Sequence, residues 1–154
     1  MNYKKIIYKS PEFLAMQWLE KVQEVLFNPS EYFKQMETRG GFGEPTVFAL
    51  KNILIYSVLS ALLTYVSYNF LSLSLDSSAA FPGFGTGFTI GLAMVSIIAG
   101  IIGGIIGLYI GTAIVHVFLY LLGAKGGFEA SLRVASSATV TALFSWIPAV
   151  NIIA

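Results

Sequence analysis

Residues 88–122 read FTIGLAMVSIIAGIIGGIIGLYIGTAIVHVFLYLL and contain no Asp, Glu, Lys or Arg. A bilayer core needs about 20 apolar residues in a helix, so this run predicts a membrane span rather than a soluble core helix. Its glycines are spaced, not scattered. Gly103, Gly107 and Gly111 recur every four residues with Ala99 ahead of them, and Ser96, Gly100 and Gly104 form a second series alongside. At about 100° per residue both series fall on one broad face, which Thr89 and Ala93 prolong. Such a face, a glycine zipper, has almost no side chains and lets another helix backbone approach closely. In lipid, where apolar surface gains little by leaving the acyl chains, close approach supplies much of the association energy. The β-branched Ile residues and the absence of Pro favour a helix over a loop. A continuous helix would be about 52 Å long against a core of about 30 Å. It must therefore tilt, protrude or bend, and Gly103-Gly104 is the place for a bend.

The rest of the chain agrees with a membrane setting. Of 154 residues 56% are hydrophobic and only 11% charged, and the mean hydropathy is +0.76. These values describe an integral membrane protein folded as one helical bundle. The net charge of +1 includes no basic patch of the kind that binds nucleic acid. The chain has no Cys, which excludes disulfides and thiolate chemistry.

Outward from the long run, the N-terminus has Lys4, Lys5 and Lys9 but no apolar stretch behind them, so it is not a secretory signal. Residues 11–27 are two-faced. Leu14, Trp18, Val22, Val25 and Leu26 share one side, while Glu12, Glu20, Lys21 and Glu24 lie mostly elsewhere. This predicts an amphipathic helix at the membrane interface, with Trp18 at the headgroup boundary. Packing on the cytosolic ends of the spans is the other reading. Asn28-Pro29-Ser30-Glu31 carries a capping box and opens a second short helix. Residues 1–46 thus form a cytoplasmic or interfacial unit, and residues 47–154 the transmembrane bundle.

Three spans are expected, at about 47–71, 88–122 and 128–150. In the first, Ser57, Ser60, Thr64 and Ser67 line one face at three- and four-residue steps. Small hydroxyl side chains can bond their own backbone carbonyls and admit a close neighbour. They are read as a packing partner for the glycine face, with a polar pore lining as the sharper alternative. The third segment begins with Glu129 and Arg133, spaced for an ion pair along the helix surface. Trp146 suits the far interface, and Pro148 ends or kinks the helix. Seven Lys and Arg residues precede Ile53 and none separates the first two spans, which puts the N-terminus and the Lys125 turn in the cytoplasm.

No catalytic set is evident, and the chain is read as non-enzymatic with no cofactor. His116 is the single histidine, opposite the glycine face on the helix wheel, near Tyr109, Thr112 and Tyr120. These four make either a polar pathway or switch, or a neutral imidazole bonded to a neighbouring helix. One His and no Cys leave no metal-ligand spacing, and no Ser is accompanied by a recognisable base.

Three stretches together resemble the Yip family, the Ypt/Rab-GTPase-interacting membrane proteins. They are Val25-Leu26-Phe27-Asn28-Pro29-Ser30-Glu31-Tyr32-Phe33, then His116 to Leu122 followed by Gly123-Ala124-Lys125-Gly126-Gly127-Phe128, and then Leu132-Arg133-Val134-Ala135 with Trp146-Ile147-Pro148. The resemblance implies a multi-pass protein with a cytoplasmic N-terminus, usually of five spans. It also implies partners among small GTPases of the Rab type or other membrane proteins. This chain resembles a prokaryotic-type member lacking the last two helices, and Ser136-Ser137-Ala138-Thr139 replaces the family's Tyr-Pro-like centre of the third helix. Two functions are therefore expected in order. The first is a scaffold in the lipid bilayer that forms a homo-oligomer through close helix packing. The second is a small oligomeric channel or transporter.

Overall fold

The computed structural model describes residues 11–74 and 86–145. Five α-helices and one 3-10 helix occupy them: α1 (Pro11–Phe27), α2 (Pro29–Gln35), α3 (Gly43–Ser74), α4 (Thr86–Leu121), α5 (Phe128–Ala138) and a 3-10 helix at Thr139–Leu143. There is no strand among the described residues. The segment with Asp76, and Trp146 and Pro148 with it, lies outside them.

Two long helices form the shaft. Ser57 of α3 lies against Gly100 of α4, and Ile53 against Gly104. Thr46 lies against Tyr109. The numbering runs down one helix as it runs up the other, so the pair is antiparallel. Helix α4 is unbroken from Thr86 to Leu121, with no interruption at Gly103-Gly104. At about 1.5 Å per residue it exceeds the hydrocarbon thickness of a bilayer, so a crossing on this helix would require tilt or protrusion. Its C-terminus is a Schellman stop. Gly123, at φ +87, donates its N–H to Tyr120 O (3.0 Å), and Ala124 donates to Leu119 O (2.9 Å).

The other elements gather at one end of the shaft, where α3 begins and α4 stops. Pro45 sits in the first turn of α3, where its missing N–H would have no intrahelical acceptor. Val22, Phe48 and Val140 form a small buried core there, flanked by Trp18, Val25, Leu26 and Leu143. Helix α1 is therefore docked on α3 and the 3-10 helix through its apolar side. Its other side leaves Met16, Leu19 and Phe27 exposed.

Several sequence expectations change here. Asn28 makes no side-chain cap. Its own N–H is already taken by Glu24 O at 2.9 Å, so the reciprocal half of a capping box has no donor, and Glu31 turns to Lys34 at 3.0 Å instead. The expected third span is, over its described part, an 11-residue amphipathic helix that tightens into a 3-10 helix. Hydroxyls drive the tightening. Ser136 and Ser137 both donate to Arg133 O, Thr139 to Ser136 O, and Thr141 to Ala138 O. Such back-bonding, with β-branched Thr139, Val140 and Thr141 in sequence, disfavours a regular α-helix. Among the described residues two helices, over Gly43–Tyr68 and Phe88–Leu121, are long and apolar enough to cross a membrane.

Candidate functional site

Two features are built with care: a polar junction at the gathered end, and the two faces of the glycine-bearing helix. The junction centres on Arg133, which α5 carries into the interior at 8% exposure. Its Nη1 donates to Glu44 Oε2 at 2.8 Å and its Nη2 to Gly41 O at 3.4 Å. Nε stands 3.7 Å from Glu129 Oε1, beyond hydrogen-bond reach, and has no bonded partner. Glu129 Oε1 instead accepts the Gly41 N–H. The expected surface pair between Glu129 and Arg133 is thus a buried arrangement, because the loop after α2 and the first turn of α3 close over the guanidinium. Glu44 also receives Lys21 of α1. That exposed contact is worth about 0–1 kcal/mol, whereas the buried guanidinium depends on its acceptors for several times more. Gly40 (φ +132) and Gly41 (φ +89) make this closure possible. A Cβ on Gly40 would lie 2.8 Å from Arg133 Nη2.

Five further polar bonds tie the elements. Asn52 is fully buried within α3. Its Oδ1 accepts the Trp18 indole N–H at 2.8 Å, and its Nδ2 donates to Thr139 at 2.9 Å. Trp18, expected at a headgroup boundary, is turned onto the bundle by this bond. Tyr32 and Ser137 share a hydrogen bond of 2.8 Å between α2 and α5. His116 Nδ1 lies 2.9 Å from Ser131 Oγ, and Phe128 packs edge-on to the imidazole at 5.7 Å. Tyr109 reaches Thr46 at 2.6 Å. Of the four residues expected to form one polar ridge, Thr112 is buried and bonds Leu108 O at 2.6 Å, while Tyr120 is 70% exposed. His116 and Tyr120 border one cleft, which Tyr109 and Thr112 do not line.

The glycine series divide. A Cβ on Gly100 would lie 2.6 Å from Ser57 Oγ, and one on Gly104 2.7 Å from Ile53 Cγ2, so these positions admit α3. A Cβ on Gly103, Gly107 or Gly111 would meet nothing within 4 Å. Ala99, in line with them, is exposed as well. Ser96 lies on the inner series and bonds Ala93 O at 2.8 Å. The hydroxyl stripe of α3 divides too. Ser57 is buried against Gly100, Ser60 is half-buried, Thr64 bonds Ser60 O at 2.9 Å, and Ser67 is exposed. Helix geometry explains why both the glycine face and its supposed opposite are in use. An i+4 row drifts about 40° per step, so the contact line turns about 160° between Gly100 and His116. At one level α4 faces α3, and at the other it faces α5.

A sequence profile described as Yip1 domain matches residues 24–154, most of the chain. The chain belongs to the Yip1 domain family. It is accordingly a membrane protein, and the two apolar helices of this Yip1-domain chain are consistent with that setting. No curated protein and no solved structure matches it significantly. Each of the three stretches that carried the Yip resemblance makes a contact at the gathered end: Tyr32 with Ser137, His116 with Ser131, and Arg133 with Glu44. Asn52 was not singled out from the sequence, nor was Arg133 placed inside. The available signals were an amide within an apolar helix and an Arg within a small-residue segment, each of which needs internal partners in a membrane setting.

Proposed function

We propose that this Yip1-domain protein is a non-enzymatic membrane scaffold that self-associates through the outer face of α4. The carrying observation is the open series Gly103, Gly107 and Gly111, in contrast with Gly100 and Gly104, which already admit α3. The same spacing on one helix offers a second close approach, and a second copy of the chain is the occupant proposed. Two spans, α3 and α4, with the N-terminus and the Lys125 turn in the cytoplasm, complete the reading. The Lys and Arg distribution supports that orientation. Contacts with small GTPases or other membrane proteins would then be made from the gathered polar end. The channel reading has less support. The hydroxyls of Thr64, Ser96 and Thr112 bond backbone carbonyls, and Tyr109 and His116 are engaged between helices.

The test is the mass of the assembly in lipid nanodiscs, with and without Gly107→Leu. A defined oligomer that dissociates on substitution supports the proposal. An oligomer indifferent to Gly107→Leu, or a monomeric parent chain, rejects it. Solute flux in liposomes that is lost in His116→Ala or Thr64→Val would establish the channel instead.

A further inference from the structure

The turn between α4 and α5 holds an open cleft of about 740 Å³, to which neither the scaffold reading nor the family match assigns a role. His116 and Tyr120 line it from α4, and the run Gly123-Ala124-Lys125-Gly126-Gly127 closes it. We propose that this cleft binds the phosphate of an anionic phospholipid. The proposal rests on α4 lying in the bilayer and is independent of the oligomer.

The charge and hydrogen-bonding inventory fits an anion. Lys125 is the cation of the lining, and no carboxylate lines the cleft. The nearest in sequence, Glu129, is turned to Gly41 and Arg133. His116 uses Nδ1 on Ser131, and among the described residues Nε2 has no partner. The Schellman stop matters here. It engages the Leu119 and Tyr120 carbonyls with the Ala124 and Gly123 N–H groups, so these acceptors do not confront a bound anion. The following N–H groups, of Lys125, Gly126 and Gly127, have no protein acceptor among the described residues. A phosphate would thus find an ammonium, backbone donors and the Tyr120 hydroxyl around one open space.

The surroundings select a lipid over a free anion. The cleft is bordered by a strongly exposed apolar stretch where α4 ends: Phe118 is 63% exposed, Leu121 74% and Leu122, just past the helix, 84%. Acyl chains lying on this surface would leave their headgroup at the level of the turn. Basic pockets at the ends of spans recognise anionic headgroups in this way.

Native mass spectrometry of the full chain, released from detergent with added phosphatidylglycerol or phosphatidylcholine, tests the site. Retention of one phosphatidylglycerol per chain in preference to phosphatidylcholine is expected. Lys125→Ala should weaken that retention about tenfold, the scale of one charge-assisted hydrogen bond, and Lys125→Arg should restore most of it. Lys34→Ala, which alters an exposed pair with Glu31, should change nothing. Equal retention of both lipids, or indifference to Lys125→Ala, would overturn the site. Displacement by millimolar inorganic phosphate would assign the cleft to a soluble anion and overturn the lipid. The same spectra report the oligomer, so failure of the scaffold reading is seen separately.

Discussion

Helices α3 and α4 are both long and apolar, yet they are used differently. A third of the most apolar window of α3 is buried within the chain, and none of that of α4. Helix α3 is enclosed at its start by α1, the 3-10 helix and α5, which press on Pro45, Phe48, Ala49 and Asn52. Helix α4 touches the chain along a thin inner line and presents Ile98, Ile102, Ile106, Ile110 and Ile114 outward. Hydropathy tells which medium a helix prefers. It does not tell which neighbour the helix keeps.

Substitutions can break that contrast. The largest effect is expected at the gathered end, where Leu132 is fully buried. Leu132→Ala should cost about 2–5 kcal/mol in a reversible detergent-unfolding assay, whereas Ile106→Ala on the open shaft should stay within about 0.5 kcal/mol. A loss of similar size at both sites would show that the two regions are packed alike. Next comes the paired glycine test. Gly104→Leu should destabilise the α3–α4 pair by about 1–3 kcal/mol, because its side chain must displace Ile53. Gly107→Leu should leave the stability of the single chain nearly unchanged and act only on assembly. Equal destabilisation by both would mean that the outer series is covered within one chain.

A smaller effect sharpens the picture at Asn52. Asn52→Ala removes the partners of Trp18 and Thr139 and should cost about 1–3 kcal/mol. In a Trp146→Phe background, the Trp18 emission should shift to the red as α1 loosens. An unchanged spectrum would argue that α1 is held by Val22 and its apolar contacts alone. Orientation involves no energetic change. The absence of Cys allows clean single-site labelling, and Ser30→Cys and Lys125→Cys should react with an impermeant thiol reagent from the same, cytoplasmic side. Labelling from opposite sides would contradict the proposed topology.

How far the sequence could be read follows from these same elements. The long apolar helix at Thr86–Leu121, the amphipathic Pro11–Phe27 helix and the Yip resemblance were legible, because length, period and local motifs act within a few turns; that the long helix runs unbroken through Gly103-Gly104 was not. Which of two adjacent glycine rows meets α3 was not, since both lie within one broad face and the choice depends on the partner's azimuth. The burial of Arg133 was equally hidden. Its best acceptor, Glu44, is 89 residues away. The nearby Glu129, spaced correctly for a local pair, pointed to a simpler answer. The third segment misled for a related reason. Its Ser and Thr residues are small enough for a packed span, but their hydroxyls compete for the backbone and tighten the helix.

The Arg133–Glu44 contact also orders events during synthesis. Glu44 and Lys21 emerge together with the first helices, but the guanidinium follows 89 residues after Glu44. At about 5–20 residues per second that interval is several seconds. Throughout it α3 and α4 can enter the bilayer while the loop at Gly40 and Gly41 has nothing to close upon. Helix α5 therefore acts as a latch on the first ones. A nascent chain stalled before Arg133 should have its long helices inserted and its N-terminal helices still accessible to a protease.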